Sequence, residues 1–398
     1  MAIPPPTLFQ AYVRQALSLL DAYTGDMPLH RYLKNAFRQQ PKLGARDRRY
    51  ISALIYDYFR MGHTLRNRSR LDKMLIGYFL CEQDPMPLIR AWQPEWLPTL
   101  PEGALPPPFQ RTAWFPDFRI EELFPWSEHV TKGLSLQAFA ERFLSQPHVF
   151  IRIRPGHASR VQALREGVAM LDAHTWALPA GVELEEQVSG EEGKDYVVQD
   201  YASQGVMRWL VEQLPSASVK QWAVWDCCAG SGGKSIFLAD SLLLSRLLVT
   251  DIRPTILANL RRRFRQAGIS AYVAAAVDVT REQELARIMG KQTYDLIVAD
   301  VPCSGSGTWA RTPEQLHFFA MERLNDFQAL QKRLVTQAIR YLKPGGYLAY
   351  ITCSVFRAEN EELADAVSRV GLQCIGQRLI TGYTVGGDSM YIALFRAG

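Results

Sequence analysis

The sequence predicts a mixed α/β protein. Its C-terminal half is a doubly wound, Rossmann-like sheet, preceded by a small α/β segment and an all-α region. Three observations carry this reading. From residue 205 onward, apolar runs of strand length alternate with helical stretches, the pattern of a parallel sheet with crossover helices. Residues 8–80 instead space their apolar side chains at the helical period. The stretch between holds short strand-like and helical pieces without regular alternation.

In chain order, "LFQAYVRQALSLLDAY", "LHRYLKNAFRQQ" and "ARDRRYISALIYDYFRMGHTL" predict helices, with "TGDMP" and "KLGA" as breaks. Residues 83–125 are proline-rich. Proline has no amide proton to donate, so this stretch reads as a linker or irregular packing segment. "LQAFAERFLS" predicts a helix, "HVFIRIRP" a strand, "ASRVQALREGVAML" a helix and "YVVQD" an extended piece. "QWAVWD", "RLLVTD", "AYVAAAV", "YDLIVAD" and "GYLAYIT" then predict strands, with helices starting near Lys234, Thr255, Arg281 and Phe318. The expected organisation is a helical region with its Pro-rich linker at 1–125, a small α/β segment at 126–204 and the sheet domain at 205–398.

The 398 residues, 47% hydrophobic and 21% charged, have the composition of a globular chain with room for two or three domains. A net charge of +5 and a pI near 8.8 allow a polyanionic partner without demanding one. The N-terminus shows no signal-peptide pattern and no run of eighteen apolar residues occurs, so a cytoplasmic protein without a membrane partner is expected. Of the six cysteines, none forms a CxxC pair, and His317 is the single histidine beyond residue 200. Free thiols and no metal site are expected.

In a doubly wound sheet, ligands bind beyond the carboxyl ends of the strands. Asp226, Asp251, Asp300 and Thr352 fall there. "VWDCCAGSGGKS", residues 224–235, runs from a strand through a Gly-rich turn into a helix start. Gly230, Gly232 and Gly233 let backbone approach a ligand, and the helix start offers free N–H groups. The loop fits neither common phosphate fingerprint: Cys228 stands at the first glycine of GxxxxGK[ST], and Ser235 at the last of GxGxxG. Asp251 lies 21 residues beyond Gly230, a spacing that suits a ribose diol. Asp278, at the next strand end, can accept from an adenine amino group. Loop, ribose acid and adenine acid in this order point to S-adenosyl-L-methionine. The competing reading makes Asp251 and Asp278 caps of the helices that follow.

Two further strand ends carry thiols: "ADVPCSGSGTW" at 299–309 and "GYLAYITCSVFRAENEE" at 346–362. A lone cysteine is more often a small buried apolar residue; two in matched positions need a common explanation. The segments "DCCAGSGGKS", "DVPCSGSGTWARTPE" and "TCSVFRAENEE" come in one order, and in that order they resemble the RNA cytosine-C5 methyltransferases of the Nop2/Sun family. The bacterial Sun type, which modifies 16S ribosomal RNA, is the branch they are most similar to. "VVQDYASQ" also resembles that family's segment before the cofactor loop, and "LGARDRRYISALIYDYFR" resembles its NusB-like helical domain. The intervening 126–204 is taken as RRM-like. This chain departs from the family at Gly230–Ser231, where Ala-Pro is common, at Val301 for alanine, at Ile256 for a basic residue and at Arg154 for asparagine.

The resemblance implies a chemistry. Cytosine C5 is a poor nucleophile until a thiolate adds to C6 and makes C5 enamine-like. Cys353 would be that nucleophile, Asp300 would meet the N3 edge, Cys303 would assist release, and Lys234 would order the site. S-adenosyl-L-methionine would be held by Cys228, Ala229, Gly230, Ser231, Gly232, Lys234, Asp251, Asp278 and Asp300. Adenine amino-group methylation is disfavoured, since "DVPC" carries a thiol where that class has an aromatic residue. DNA cytosine methyltransferases lack the "TCS" partner. A non-catalytic RNA-binding assembly factor is the rival of another class, and it would be expected to lose a cysteine. The expected partner is RNA, ribosomal before transfer RNA, for a monomer. "LRNRSR", "IRIRP" and "LRRRFR" are the basic stretches that could hold phosphates, the last also reading as a solvated helix face.

Overall fold

The computed structural model describes residues 6–99, 105–215 and 220–398. Seven helices lead: α1 (Pro6–Ala22), α2 (Leu29–Arg38), α3 (Ala45–Arg60), α4 (Arg70–Cys81), α5 (Met86–Trp92), α6 (Ile120–Leu123) and α7 (Leu136–Glu141). Strands β1 (Val149–Ile153), β2 (Ala169–Met170), β3 (Thr175–Leu178) and β4 (Tyr196–Val198) follow, with α8 (Leu184–Gln187) before the last. Then come α9 (Tyr201–Gln213), β5 (Gln221–Asp226), α10 (Gly233–Ser241), β6 (Leu243–Asp251), α11 (Pro254–Gln266), β7 (Val273–Ala276), α12 (Glu282–Met289) and β8 (Tyr294–Asp300). The chain closes with α13 (Pro313–Phe318), α14 (Arg323–Ala338), β9 (Leu342–Thr352), α15 (Glu361–Arg369), β10 (Gln373–Thr381) and β11 (Ser389–Arg396).

The chain forms two compact units. The helical unit comprises Met1–Glu128, Ser135–Gln146 and Trp309–Phe319. Its helices bury one face each: Leu29, Leu33 and Phe37 recur every fourth residue on α2. α3 and α4 pack so closely that a Cβ on Gly77 would stand 2.5 Å from the Asp57 carbonyl oxygen. Lys73 is buried beneath them, and its Nζ donates to the Gly62 carbonyl at 2.6 Å. Burial lowers its pKa to about 8. The segment Trp309–Phe319 packs into this unit by aromatic rings, Trp309 lying against Phe124, Trp126 and Phe319. Arg60 Nη1 donates to the carbonyls of Phe143 and Ala310 at 3.0 Å each, and the Leu29 amide donates to Glu314 at 3.2 Å.

The second unit holds both sheets. The smaller is antiparallel, ordered β2-β3-β1-β4. The helix expected over "ASRVQALREGVAML" is absent: a 3-10 turn at Ala158–Arg160, a bridge at Ala163 and strand β2 replace it. Gly167 at φ +94° turns the chain there, and Leu164 and Met170 face outward, so the helical spacing of apolar residues had no face to bury.

The larger sheet has the order β10-β11-β9-β8-β5-β6-β7. β9, β8, β5, β6 and β7 are mutually parallel, and β11 runs antiparallel between β9 and β10. That antiparallel edge was not expected from sequence. Alternate residues fill a core on each face: Trp222, Val224, Leu296 and Val298 on one, Trp225, Ile297, Ala299 and Tyr350 on the other. The helix expected from Phe318 begins at Arg323, since α13 ends on Phe318. The strand order reverses between β5 and β8, so the loops that follow these strands open side by side.

Candidate active site

Parallel pairing sets the geometry. Asp226 on β5 is level with Val298 on β8, and Asp300 with Ile351 on β9. Each strand leaves the sheet just beyond, and two backbone hydrogen bonds draw the exits together: Val301 N donates to Ile351 O at 3.0 Å and Gly307 N to Cys353 O at 2.9 Å. A Cβ on Gly307 would lie 2.2 Å from the Ser389 carbonyl oxygen, so only glycine permits this approach. The result is that Cys303 Sγ and Cys353 Sγ stand 3.3 Å apart.

Beside them, Lys234 Nζ from the first turn of α10 donates to Asp300 Oδ2 at 2.7 Å. Burial disfavours charge on Lys234, but Asp300, Asp226 and Cys353 outweigh it and its pKa is raised. Cys303 is pushed well up, first by its hydrogen bond with Cys353, then by burial and by the charges of Cys353 and Glu359. Asp226 is 1% exposed; burial lifts it to about 7, against a hydrogen bond from Ser235 Oγ at 2.6 Å. Cys228 is raised too, by its hydrogen bond with Cys227 and by burial.

The loop before α10 turns on Gly230 at φ +54° and Gly232 at φ +84°. A Cβ on Gly232 would meet Phe264 Cε1 at 2.7 Å, so that glycine serves helix packing. A Cβ on Gly230 would meet nothing within 4 Å, leaving an open cradle. Arg263 Nη1 donates to Ser231 Oγ at 2.7 Å and ties the loop to α11. Asp251 closes the cradle: Gly230 N donates to its Oδ2 at 3.0 Å, and Arg253 N and Nε donate to Oδ1 at 2.9 Å each. Burial works against the charge of Asp251, yet the Arg253 contacts hold its pKa below the ordinary value. Asp278 Oδ1 accepts from Thr280 N at 2.9 Å and Thr280 Oγ1 at 2.7 Å. Both acids therefore brace the turn after their strand, but neither caps the helix that follows: the N-cap residues are Arg253 and Arg281, and neither helix has a side-chain cap bond.

The catalytic and cofactor residues singled out from sequence lie in the loops or strand ends at this edge of the sheet, except Lys234, which lies in the first turn of α10. The basic stretches fare differently. Arg152 and Arg154 pair with Asp240 at 2.8 and 2.7 Å and are largely buried, so "IRIRP" is committed to structure. In "LRNRSR", Arg68 pairs with Asp117 at 2.6 Å and Arg70 pairs with Asp21. In "LRRRFR", Leu260 and Phe264 are buried, while Arg261, Arg262 and Arg265 are exposed. Among the described residues, no group of three or more His, Cys, Asp and Glu is placed to hold a metal, and no helix is long and apolar enough to cross a membrane.

Sequence reasoning missed the support beneath the thiols. Glu359 is fully buried and accepts from Ser304 N at 2.8 Å, Ser304 Oγ at 2.5 Å, Ser354 Oγ at 2.5 Å and Gln331 Nε2 at 2.9 Å. Gln331 also donates to Pro302 O at 3.0 Å, and Asn360 Nδ2 to Ser354 O at 2.9 Å. In "TCSVFRAENEE" the acid at 359 reads as an ordinary helix-start carboxylate; nothing local signals its burial.

Residues 216–371 match the family described as 16S rRNA methyltransferase RsmB/F. The matched segment is less than half of the chain and is similar to that family. The ribosomal RNA small subunit methyltransferase B of Xylella fastidiosa is 32% identical over 180 residues, covering 45% of this chain and 39% of that protein. Its namesake in Escherichia coli is 28% identical over 231 residues, 56% of this chain and 52% of the relative. The chain thus spans about half the length, or less, of these curated relatives. Among solved structures, PH0851 superposes with a TM-score of 0.62 over 98% of this chain and 99% of that one, at 18% identity. A methyltransferase homolog from Pyrococcus horikoshii gives 0.52 over 67% of this chain and 92% of that one, at 20% identity. At these identities the superpositions establish a shared fold.

Proposed function

We propose that the chain is an S-adenosyl-L-methionine-dependent RNA (cytosine-C5) methyltransferase acting on 16S ribosomal RNA. The observation that carries the reading is the pair of thiols 3.3 Å apart, one beyond each of two adjacent parallel strands, beside the Lys234–Asp300 ion pair. Relatives named for small-subunit ribosomal RNA methylation support the substrate.

The residues present suit the cofactor. The cradle at Gly230 is open, Asp251 lines it, and Ile252 next door is 61% exposed and offers an apolar face to a purine. Cys228, Ala229, Gly230, Ser231 and Gly232 would pass backbone beneath the ligand, Asp251 and Asp278 would take the ribose and adenine groups, and Lys234 and Asp300 would border the methionine end. When bound, S-adenosyl-L-methionine supplies an electrophilic methyl group.

The chain's own residues do the rest. Cys353, as thiolate, forms a bond to cytosine C6, and the C5=C6 electron pair becomes available at C5. As charge develops at N3, Asp300 passes on to it a proton drawn from the paired Lys234 ammonium, and Lys234 fixes the orientation of the carboxyl group. C5 takes the methyl group and then gives up its own proton to water. The C5=C6 bond re-forms, N3 returns its proton, and the C6–S bond breaks to release Cys353 as thiolate. Cys303, holding its proton, hydrogen-bonds the departing sulfur and eases that release. The helical unit would present the RNA, with the exposed arginines of α11 as phosphate contacts.

The two thiols have opposite signatures, and these provide the test. Incubated with S-adenosyl-L-methionine and 16S ribosomal RNA transcript, Cys303→Ala should retain RNA through denaturing electrophoresis, because a C–S bond outlasts loss of fold. Cys353→Ala should capture none and turn over none. Capture by Cys353→Ala alone would reverse the roles. Methylation by both variants without capture would refute the thiol mechanism, and 5-methylcytosine appearing only in transfer RNA would refute the substrate.

A further inference from the structure

The two sulfurs sit on separate loops, one after β8 and one after β9, and nothing in either loop alone fixes their separation. Besides the backbone bond from Gly307 N to Cys353 O, a single buried carboxylate ties the two loops together. The residue immediately after each cysteine, Ser304 and Ser354, donates its hydroxyl to Glu359 Oε2 at 2.5 Å. Glu359 Oε1 accepts the Ser304 amide at 2.8 Å and Gln331 Nε2 at 2.9 Å. Ser306 Oγ completes a triangle with Ser304 and Ser354 at 3.1 and 3.2 Å, and receives the Val355 amide at 2.9 Å. The backbone carbonyl of Glu359 also accepts the Tyr350 hydroxyl at 2.6 Å. Glu359 is 0% exposed.

A carboxylate buried this completely is costly unless every lone pair is engaged. Here four donors engage it, and three of them belong to Ser304 and Ser354, the residues next to the reactive groups. The charge is placed asymmetrically as well. Cys303 lies in the field of Glu359, whereas Lys234 lies in the field of Cys353. One thiol faces an anion and the other has a cation within electrostatic reach.

We propose that Glu359 is the positioning residue of the thiol pair: its carboxylate clamps the residue after each cysteine, fixes the separation of the sulfurs and makes the two thiols unequal. The inference rests on the thiol chemistry proposed above. The two thiols share one hydrogen bond across 3.3 Å, and either sulfur can be its donor. Glu359 keeps the donated proton on Cys303, because a second negative charge beside its own is unfavourable. Cys303 is left as the S–H donor that the release step requires. The ionisable groups around the pair are Glu359, Tyr350, Lys234 and the Asp300 carboxylate that Lys234 pairs with.

The test is the isosteric variant Glu359→Gln in the full chain, read without RNA. Purified protein is alkylated with iodoacetamide at pH 8 and each cysteine is followed by mass spectrometry. Removing the charge should speed alkylation of Cys303 by about tenfold, the effect of one pKa unit, and leave Cys227 and Cys228 unchanged. With RNA, kcat should fall while KM for RNA holds, since the clamp acts on reacting groups and not on substrate binding. Unchanged labelling of Cys303, or an equal rise at all four cysteines as general loosening would give, overturns the proposal. If Glu359→Gln does not fold, Ser304→Ala and Ser354→Ala each remove one hydroxyl donor; a Cys303 rate unmoved in both overturns it equally. Labelling depends on the thiols alone. A selective shift at Cys303 in a protein that methylates no RNA would keep the clamp and reject the proposed reaction.

Discussion

Replacing Asp226 with asparagine should make the protein more stable, and increasingly so as pH rises. Asp226 ends β5 with its side chain 1% exposed; Oδ2 accepts from Ser235 Oγ at 2.6 Å, and Oδ1 is buried without a hydrogen bond of good geometry among the described residues. Burial raises its pKa from 3.8 to about 7, reinforced by the charge of Asp300 and opposed by Lys234. The folded state therefore holds this proton over a range where the unfolded state has released it. Stability falls as pH climbs from about 4 through about 7, and levels off above. At about 1.4 kcal/mol per pH unit, the full loss is on the order of 4 kcal/mol above neutrality and only about 1.5 kcal/mol at pH 5. Asparagine keeps the shape and an acceptor for Ser235 but carries no charge, so it escapes this loss. The stability advantage of Asp226→Asn should thus grow by about 2–3 kcal/mol between pH 5 and pH 8. Urea denaturation of both proteins at the two pH values, followed by tryptophan fluorescence, gives the difference directly. An advantage of the same size at both pH values would show that Asp226 is ionised in the fold throughout, and the reasoning would fail.

Other perturbations separate structural from ligand roles. Asp251→Ala should weaken S-adenosyl-L-methionine binding by about tenfold or more, the loss of a charged acceptor; calorimetry that finds the affinity unchanged reduces Asp251 to a brace for Gly230 and Arg253. Gly232→Ala should lower the melting temperature by several degrees, since its Cβ would enter Phe264 at 2.7 Å with φ at +84°, a cost of about 1–3 kcal/mol. Gly230→Ala meets nothing and should cost only about 1–2 kcal/mol of backbone strain. Arg154→Ala should destabilise the fold and leave the salt dependence of RNA binding unaltered, because its guanidinium is held by Asp240; a smaller salt slope would return it to the RNA surface. Diamide should join Cys303 and Cys353, which need close only from 3.3 Å to about 2.05 Å, with loss of two hydrogens in the intact mass; survival of both free thiols would mean the sulfurs are held further apart.

Much of this protein was legible before its structure. The helices at 8–65 and the five parallel strands followed from periodicity, because a helix or a buried strand must place its apolar residues at its own repeat wherever it lies. Asp300, Cys303 and Cys353 were legible for a related reason: a parallel sheet sends every strand's carboxyl end to one edge, so order along the chain predicts proximity there. Where no such repeat governs, the reading stopped. "ASRVQALREGVAML" has helical spacing, yet Gly167 and an outward-facing Leu164 give it a turn and a short strand. The strands β10 and β11 follow the motifs and were not anticipated.

The sequence by itself determined the chemistry on offer: two thiols and an acid at strand ends, and a lysine at the start of the helix after the Gly-rich loop. Only the tertiary structure decided how they meet. Glu359 lies six residues beyond Cys353 and 56 beyond Cys303, and in the sequence it is one acid among "ENEE". Folding removes it from water and surrounds it with Ser304, Ser354 and Gln331, donors drawn from three separate segments. The same act of folding commits Arg152 and Arg154 to Asp240 and takes them from the surface. Burial and charge pairing are properties of neighbours distant in the chain, and no local pattern encodes them.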